Sequence, residues 1–285
     1  MTGIFSGALL GYGATRTHPN VLHVILAVLA AGLLNAASNA LNQICDITND
    51  RINKPHRPLP SGALSMEQAW IFTAAAYVAA LAMVAAVNLQ TFAIYVIAAL
   101  ATVAYSAPPL RLKRRPLGSN LIIALIRGWL LKVAGWAAVA TVLTSIEPWY
   151  IGSIYFVFLL GATTTKDFAD IKGDLAAGCI TLPVKYGATW AARAITPSFI
   201  LPWLMLPLGL ALHVLSGNPT AILALSAIML VWGAYVAYLI NKDPRRLVTE
   251  GENHPSWRQM YWMMMVGHLG LAAAYLIPNP ASGIW

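Results

Sequence analysis

Acidic residues are scarce in this sequence, and half of them lie in two short stretches. The chain has ten aspartates and glutamates among 285 residues, and the stretches NQICDITND and KDFADIKGD contain five of the ten. Their oxygen-bearing side chains repeat at i, i+4, i+8 in the first stretch and at i, i+3, i+7 in the second: Asn42, Asp46 and Asp50, then Asp167, Asp170 and Asp174. If the stretches are helical, each set lies on one helical face.

Carboxylates stacked on one helical face repel each other, and a divalent cation removes that repulsion. Ligand sets made only of oxygen suit Mg²⁺ rather than zinc or copper. Mg²⁺ also keeps coordination positions that substrate phosphate oxygens fill. Two such sets facing one cavity therefore predict magnesium ions that bridge the protein to a diphosphate. The alternative, two solvated helix ends that happen to be acidic, leaves their matched positions unexplained.

The composition predicts that the elements carrying these residues lie in a membrane. Hydrophobic residues make up 59% of the chain and charged residues 10%, with a mean hydropathy of +0.66. Soluble domains carry about 25% charged residues. We therefore expect an all-α integral membrane protein.

Apolar runs long enough to span a bilayer recur along the chain. A spanning helix needs roughly 20 mostly apolar residues. The runs that qualify are about 20–44, 66–88, 89–106, 119–141, 146–168, 189–213, 219–241 and 256–277. Residues 1–14 are apolar but short, and we interpret them as the remainder of a longer first helix that starts upstream. The prediction is a bundle of about nine transmembrane helices around a central cavity, with a truncated first helix.

Basic residues are concentrated in every second connection between these runs. They are Arg51, Lys54 and Arg57; Arg111, Lys113, Arg114 and Arg115; Lys172 and Lys185; and Lys242, Arg245, Arg246 and Arg258. The opposite connections contain none, and Arg16 is the exception. By the positive-inside rule, we expect a multi-pass protein of the cell membrane with both acidic stretches on the cytoplasmic side. The net charge of +8 then reflects topology and contact with anionic membrane lipids, and no nucleic-acid binding is expected.

No linker or shift in composition divides the chain, so residues 1–285 form one predicted domain.

Basic side chains near the acidic stretches, Lys54, Arg57 and Lys172, are placed to neutralise phosphate charge. Arg127 lies inside a predicted spanning helix, where burial of a cation is costly and usually indicates a functional role. We expect it to contact the diphosphate or an acceptor. Tyr105 closes another such helix and is expected to line the site.

The stretch NQICDITNDRINKPHRPLPSG, residues 42–62, resembles the first signature of the UbiA superfamily of intramembrane prenyltransferases, NxxxDxxxD followed by a KPxRP-type loop. The spacing of Asp170 and Asp174 resembles the second signature, DxxxD, and Asp167 resembles the extra acid of the KDxxDxxGD form. A third stretch, YSAPPLRLKRRPLGSN at 105–120, is similar to the loop between helices 4 and 5 in several members. Family members usually have a longer first helix than this chain.

The resemblance implies nine helices, bound Mg²⁺ and a polyprenyl diphosphate whose tail lies among apolar helices. Asp46, Asp50, Asp170 and Asp174 would carry the catalysis, and Lys113 of the third stretch would bind substrate. Departure of diphosphate, stabilised by Mg²⁺ and basic side chains, would leave an allylic carbocation for the acceptor to attack. Burial in the membrane would keep water from that cation.

The acceptor stays open at this point. The motifs look most like homogentisate-type and related quinone enzymes, so a lipophilic aromatic acceptor is the first expectation. They also resemble chlorophyll synthase and digeranylgeranylglyceryl phosphate synthase, in which oxygen is prenylated. A secondary transporter, a more distant alternative, predicts acids near the bilayer midplane. A CDP-alcohol phosphotransferase-like enzyme predicts a denser acidic motif with glycines between the acids.

Overall fold

A computed structural model describes residues 1–279 except Pro116 and Ala177, and it leaves six side chains within helices undescribed: those of Asn49, Ile52, Asn53, Lys172, Ala176 and Glu252. The described part of the chain is helical and contains no strand. In chain order its helices are α1 (Thr2–Thr15), α2 (Val21–Cys45), α3 (Ile47–Asn53), α4 (Met66–Ala85), α5 (Leu89–Ser106), α6 (Gly118–Ala137), α7 (Glu147–Ala162), α8 (Thr164–Ala169), α9 (Ile171–Ala176), α10 (Leu182–Tyr186), α11 (Ala188–Ile195), α12 (Leu201–Ala211), α13 (Pro219–Lys242), α14 (Pro244–Glu250) and α15 (Pro255–Leu276).

Six stretches are long and apolar enough to cross a membrane: α2, α4, α5, α6, the stretch from α11 to α12, and α13. They support an integral membrane protein. Each of the other predicted segments, 1–14, 146–168 and 256–277, also contains a helix. Of these, α1 has 14 residues and α7 has 16, so neither reaches the length of a full span. The count of nine spanning helices therefore stays a prediction.

Polar side chains fix the start of several long helices. The side chain of Asn20 accepts hydrogen bonds from two backbone N–H groups at the start of α2, and Asn88 does the same for one such group of α5. At the start of α4, Ser65 and Gln68 form a capping box. These caps satisfy backbone donors that a helix leaves unpaired at its first turn.

The predicted run 189–213 is interrupted in the structure. A 3₁₀ turn, Thr196–Phe199, separates α11 from α12. Pro197 lies in this turn and Pro202 in the first turn of α12. Because proline lacks a backbone N–H and clashes with the preceding turn, the chain cannot continue as one regular helix there.

Helix α6 contains a seven-residue π-helical segment, Ala124–Leu130. Within this segment Gly128 packs directly on the backbone of α7: a Cβ added there would lie 2.7 Å from the backbone nitrogen of Phe156. Small residues permit this close approach of two helices. The contact fixes one face of α6 against α7, and Arg127, the residue before Gly128, lines the cavity from the same segment.

Both acidic stretches bend at their central aspartate. Asp46 separates α2 from α3, and Asp170 separates α8 from α9. Each stretch therefore consists of two helical pieces rather than one helix. The i→i+4 hydrogen bonding nevertheless persists, because the Asp50 nitrogen donates to the Asp46 carbonyl at 2.8 Å and the Asp174 nitrogen donates to the Asp170 carbonyl at 2.7 Å. The spacing of the side chains along each stretch is therefore kept.

Candidate active site

The two acidic stretches face one cavity of about 1050 Å³. Its lining includes every predicted metal-binding residue, namely Asn42, Asp46, Asp50, Asp167, Asp170 and Asp174. Five predicted substrate-binding residues also line it: Lys54, Arg57, Tyr105, Lys113 and Arg127. The side chain of Lys172 lies outside the described part of the chain. Residues more than 100 positions apart in sequence therefore converge on one space.

In the first stretch, basic side chains hold the carboxylates. Asp46 pairs with the Arg111 guanidinium at 2.8 Å and with the Lys113 ammonium, which also donates to the Asn42 side-chain oxygen at 2.8 Å. Asp50, which is buried, pairs with Arg57 at 2.6 Å. The loops that carry these cations therefore close over the end of α2.

The second stretch is more buried and less completely paired. Asp167 is 1% exposed, and its ion pair with the Lys166 ammonium is long, at 3.4 Å. Among the described residues, the Oδ2 atoms of Asp167 and Asp174 are buried and have no hydrogen-bond partner. Burial, with the charges of Asp167 and Asp170, raises the pKa of Asp174 to about 6. A bound cation would relieve both penalties.

The residues fit a magnesium site, although the site is not preassembled. No group of three or more His, Cys, Asp or Glu side chains in the described part of the chain is close enough together to hold a metal ion. In the first stretch, Asp46 and Asp50 are instead paired with cations. The available donors are all oxygens, and an unpaired buried carboxylate oxygen is costly without a partner. Both properties suit Mg²⁺ once the ion pairs exchange.

Two cations of the site were not singled out by the sequence. Arg111 binds Asp46, and Lys166 contacts Asp167; both line the cavity. Lys166 precedes Asp167 directly in the KD pair of the second stretch, a signal that could have identified it. The pairing of Arg111 joins residues 65 positions apart, so only the folded chain reveals it.

The cavity changes character along its length. At the aspartates its lining is charged, whereas further along the helices it is largely apolar, with Ala31, Leu34, Ile94, Ala98, Ile122, Ile123, Ile126, Leu130, Met264 and Met265. The Tyr105 hydroxyl lies 3.5 Å from the Ser119 hydroxyl between these zones. Arg127 donates to the Asn35 side-chain oxygen at 3.1 Å. The cavity can thus take an anionic head at one end and an apolar tail at the other.

The fold and the cavity define an integral membrane protein with a charged site at one end of an apolar chamber. Residues 4–249 match the model of the UbiA prenyltransferase family. The chain belongs to this family, whose members are prenyltransferases. The transporter and phosphotransferase alternatives are thereby set aside.

The chain is similar to relatives that carry different names. Digeranylgeranylglyceryl phosphate synthase of Methanoculleus marisnigri is 33% identical over 183 residues, which are 63% of this chain and 62% of that protein. The bacteriochlorophyll synthase 34 kDa chain of Chloroflexus aurantiacus is 28% identical over 274 residues, 95% of this chain and 86% of that protein. The chain therefore matches less than two thirds of the length of the first of these relatives.

A solved structure has the same fold. A UbiA homologue from Archaeoglobus fulgidus bound to GPP and Mg²⁺ superposes with a TM-score of 0.74, covering 96% of this chain and 95% of that chain. The two sequences are 21% identical, so the likeness concerns the fold alone.

Proposed function

We propose that the chain transfers a polyprenyl group, such as geranylgeranyl or phytyl, from its diphosphate to a lipophilic acceptor and releases diphosphate. One observation carries the proposal: two aspartate stretches and several cations line a cavity whose walls turn apolar away from them. This gradient matches the charge distribution of a polyprenyl diphosphate. The GPP bound to the Archaeoglobus fulgidus homologue supports a donor of this class.

The donor head would lie between the two stretches. Asn42, Asp46 and Asp50, with Asp167, Asp170 and Asp174 opposite, would hold Mg²⁺, which supplies charge stabilisation to the leaving diphosphate. Lys54, Arg57, Lys113 and the undescribed side chain of Lys172 would donate hydrogen bonds to its phosphate oxygens. Tyr105 would lie beside the reacting carbon.

In the reaction, the bond between the first prenyl carbon and the phosphate oxygen breaks, and its electron pair leaves with diphosphate. Arg57 and Lys113 stabilise the negative charge that develops on the departing oxygen. A nucleophilic atom of the acceptor bonds to the prenyl carbon and loses a proton to diphosphate or to an aspartate. The apolar cavity walls keep water away from the cationic prenyl group.

The first expectation for the acceptor is an aromatic compound such as homogentisate or a quinone precursor. It is supported by the homogentisate solanesyltransferase of Arabidopsis thaliana, 34% identical over 174 residues, which are 59% of this chain and 45% of that protein. Prenylation of oxygen is the second candidate, which the digeranylgeranylglyceryl phosphate and bacteriochlorophyll synthases favour. In either case the site opens to the cytoplasm of a cell-membrane protein, by the distribution of basic loops.

The test is diphosphate release by purified protein with geranylgeranyl diphosphate and a panel of acceptors. The panel holds homogentisate, 4-hydroxybenzoate, 1,4-dihydroxy-2-naphthoate, chlorophyllide and geranylgeranylglyceryl phosphate. We expect release that requires one acceptor class and stops with EDTA. Folded protein that releases nothing with any acceptor and any donor length would contradict the proposal.

A further inference from the structure

Arg127 stands apart from the other cations of the cavity. It lies in the π-helical segment of α6, within the apolar part of the fold, and its side chain is exposed to the cavity. Its guanidinium donates to Asn35 at 3.1 Å. None of the ion pairs found among the described side chains involves Arg127. A cation in a membrane interior without a counter-ion is costly and calls for an anionic partner.

The depth of Arg127 separates it from the diphosphate site. Its partner Asn35 lies on the uninterrupted helix α2, seven residues before Asn42 and eleven before Asp46. At the helical rise of 1.5 Å per residue, these separations are about 10 and 16 Å. A diphosphate held at Asp46 is too short to reach that level, and Arg57, Lys113 and Lys166 line the charged part of the cavity where it would lie.

The wall that α2 contributes between the two levels is polar. Asn35, Ser38 and Asn39 line the cavity from α2 and, with Asn42, repeat at i, i+3, i+4 and i+7, so they share one helical face. An apolar prenyl tail needs none of these groups. They offer hydrogen bonds to a polar molecule that lies beside the tail, between the diphosphate and Arg127.

We infer that Arg127 and Asn35 form a subsite for an anionic group of the acceptor, a carboxylate or a phosphate separate from its nucleophilic atom. The inference rests on the proposed prenyl transfer. A guanidinium is suited to this task because its planar fork binds both oxygens of such a group. The contact of Gly128 with α7 holds the backbone of the segment in place, and the hydrogen bond to Asn35 orients the guanidinium.

The acceptor explains the position of Arg127 better than a structural role does. A long basic side chain on a lipid-facing surface usually extends to the membrane boundary, whereas Arg127 faces the cavity. A structural ion pair would need a carboxylate, and the described part of the chain offers none within 4.0 Å of it. The acceptor, anchored by its anion, would present its nucleophilic atom toward the prenyl carbon near Tyr105.

The test compares Arg127→Gln with wild type, each anionic acceptor being paired with its neutral analogue. The pairs are 4-hydroxybenzoate and its amide, homogentisate and its amide, 1,4-dihydroxy-2-naphthoate and 1,4-dihydroxynaphthalene, and geranylgeranylglyceryl phosphate and geranylgeranylglycerol. Arg127→Gln should raise the KM for the anionic acceptor about 10- to 100-fold, the loss expected for hydrogen bonds to a charged group. The KM for the neutral analogue should not change, and Arg127→Lys should recover part of the loss.

Donor binding separates this subsite from the diphosphate site. Binding of a non-reactive thiodiphosphate analogue with Mg²⁺ should be the same in Arg127→Gln and wild type. The matched control is Arg193→Gln, which removes an exposed arginine that does not line the cavity. Weaker donor binding, an unchanged acceptor KM, or turnover confined to acceptors without a separate anionic group would overturn the inference.

Failure of the proposed function can be distinguished from failure of the subsite. If no acceptor supports turnover, thermal unfolding is measured with Mg²⁺, the thiodiphosphate analogue and each anionic acceptor. The subsite is supported if at least one of the four anionic acceptors raises the Tm of wild type. This increase should be lost in Arg127→Gln and kept in Arg193→Gln. Absence of stabilisation by all four overturns it.

Discussion

Lys113 should have opposite effects on metal binding and on catalysis. Its side chain is 8% exposed, and its ammonium donates to Asn42 and to the Asp46 carboxylate. Both partners belong to the proposed magnesium set. In the substrate-free protein Lys113 therefore competes with the metal for its ligands. During the reaction, by contrast, it would stabilise the departing diphosphate.

The size of each effect follows from these contacts. Hydrogen bonds to charged groups contribute about 1.5–3 kcal/mol, and partial exposure of Asp46, 18%, reduces this. Removing the hydrogen bonds of Lys113 to Asp46 and Asn42 should therefore make the free energy of Mg²⁺ binding about 1–2 kcal/mol more favourable. Lys113→Met should then tighten Mg²⁺ binding about 5- to 30-fold. Loss of a hydrogen-bond donor to the developing charge should lower kcat about 100-fold.

Calorimetric titration of the substrate-free protein with Mg²⁺ measures the first effect, and diphosphate release at saturating Mg²⁺ measures the second. The control is Lys185→Met, which removes an exposed lysine on α10 that does not line the cavity. It should leave both quantities unchanged. Weaker Mg²⁺ binding in Lys113→Met would refute the reasoning, because the lysine would then assist the metal rather than compete with it.

Three further predictions concern the aspartates and the helix packing. Asp46→Ala and Asp174→Ala should each abolish diphosphate release while the protein stays folded in detergent; activity in both variants would contradict the two-stretch site. Because the pKa of Asp174 is raised to about 6, a proton competes with the metal below that pH. The increase in Tm caused by Mg²⁺ should therefore be larger at pH 7.5 than at pH 5, and an equal increase would exclude this competition. Gly128→Val should lower the Tm by several degrees, because its Cβ would lie 2.7 Å from a backbone nitrogen of α7, an overpacking cost of about 1–3 kcal/mol. Gly32→Ala should leave the Tm unchanged, because the nearest atom to its added Cβ is 3.7 Å away. An equal decrease in Tm in this variant would contradict the packing argument.

The membrane-spanning helices were largely predictable because hydrophobicity alone specifies them. The predicted runs 20–44 and 89–106 correspond to helices Val21–Cys45 and Leu89–Ser106. Family membership was predictable from three motifs and is confirmed. The interruption at Thr196–Phe199 was missed, because 189–213 was predicted as one run, although Pro197 and Pro202 are a sequence signal for it.

The pairings within the site could not be predicted. Asp46 with Arg111, and Arg127 with Asn35, join residues 65 and 92 positions apart. Such contacts depend on how helices pack, whereas sequence spacing reports only neighbours on one helix. The π-helical segment of α6 was hidden for the same reason, because the approach of Gly128 to α7 is a tertiary contact.

One backbone contact links the two halves of the site. The Ile180 nitrogen, beyond the second acidic stretch, donates to the Arg114 carbonyl at 3.1 Å, one residue after Lys113. The loop that neutralises Asp46 and the segment that follows Asp174 are therefore tethered. The two halves of the site are thus joined through the main chain as well as through the cavity that they share.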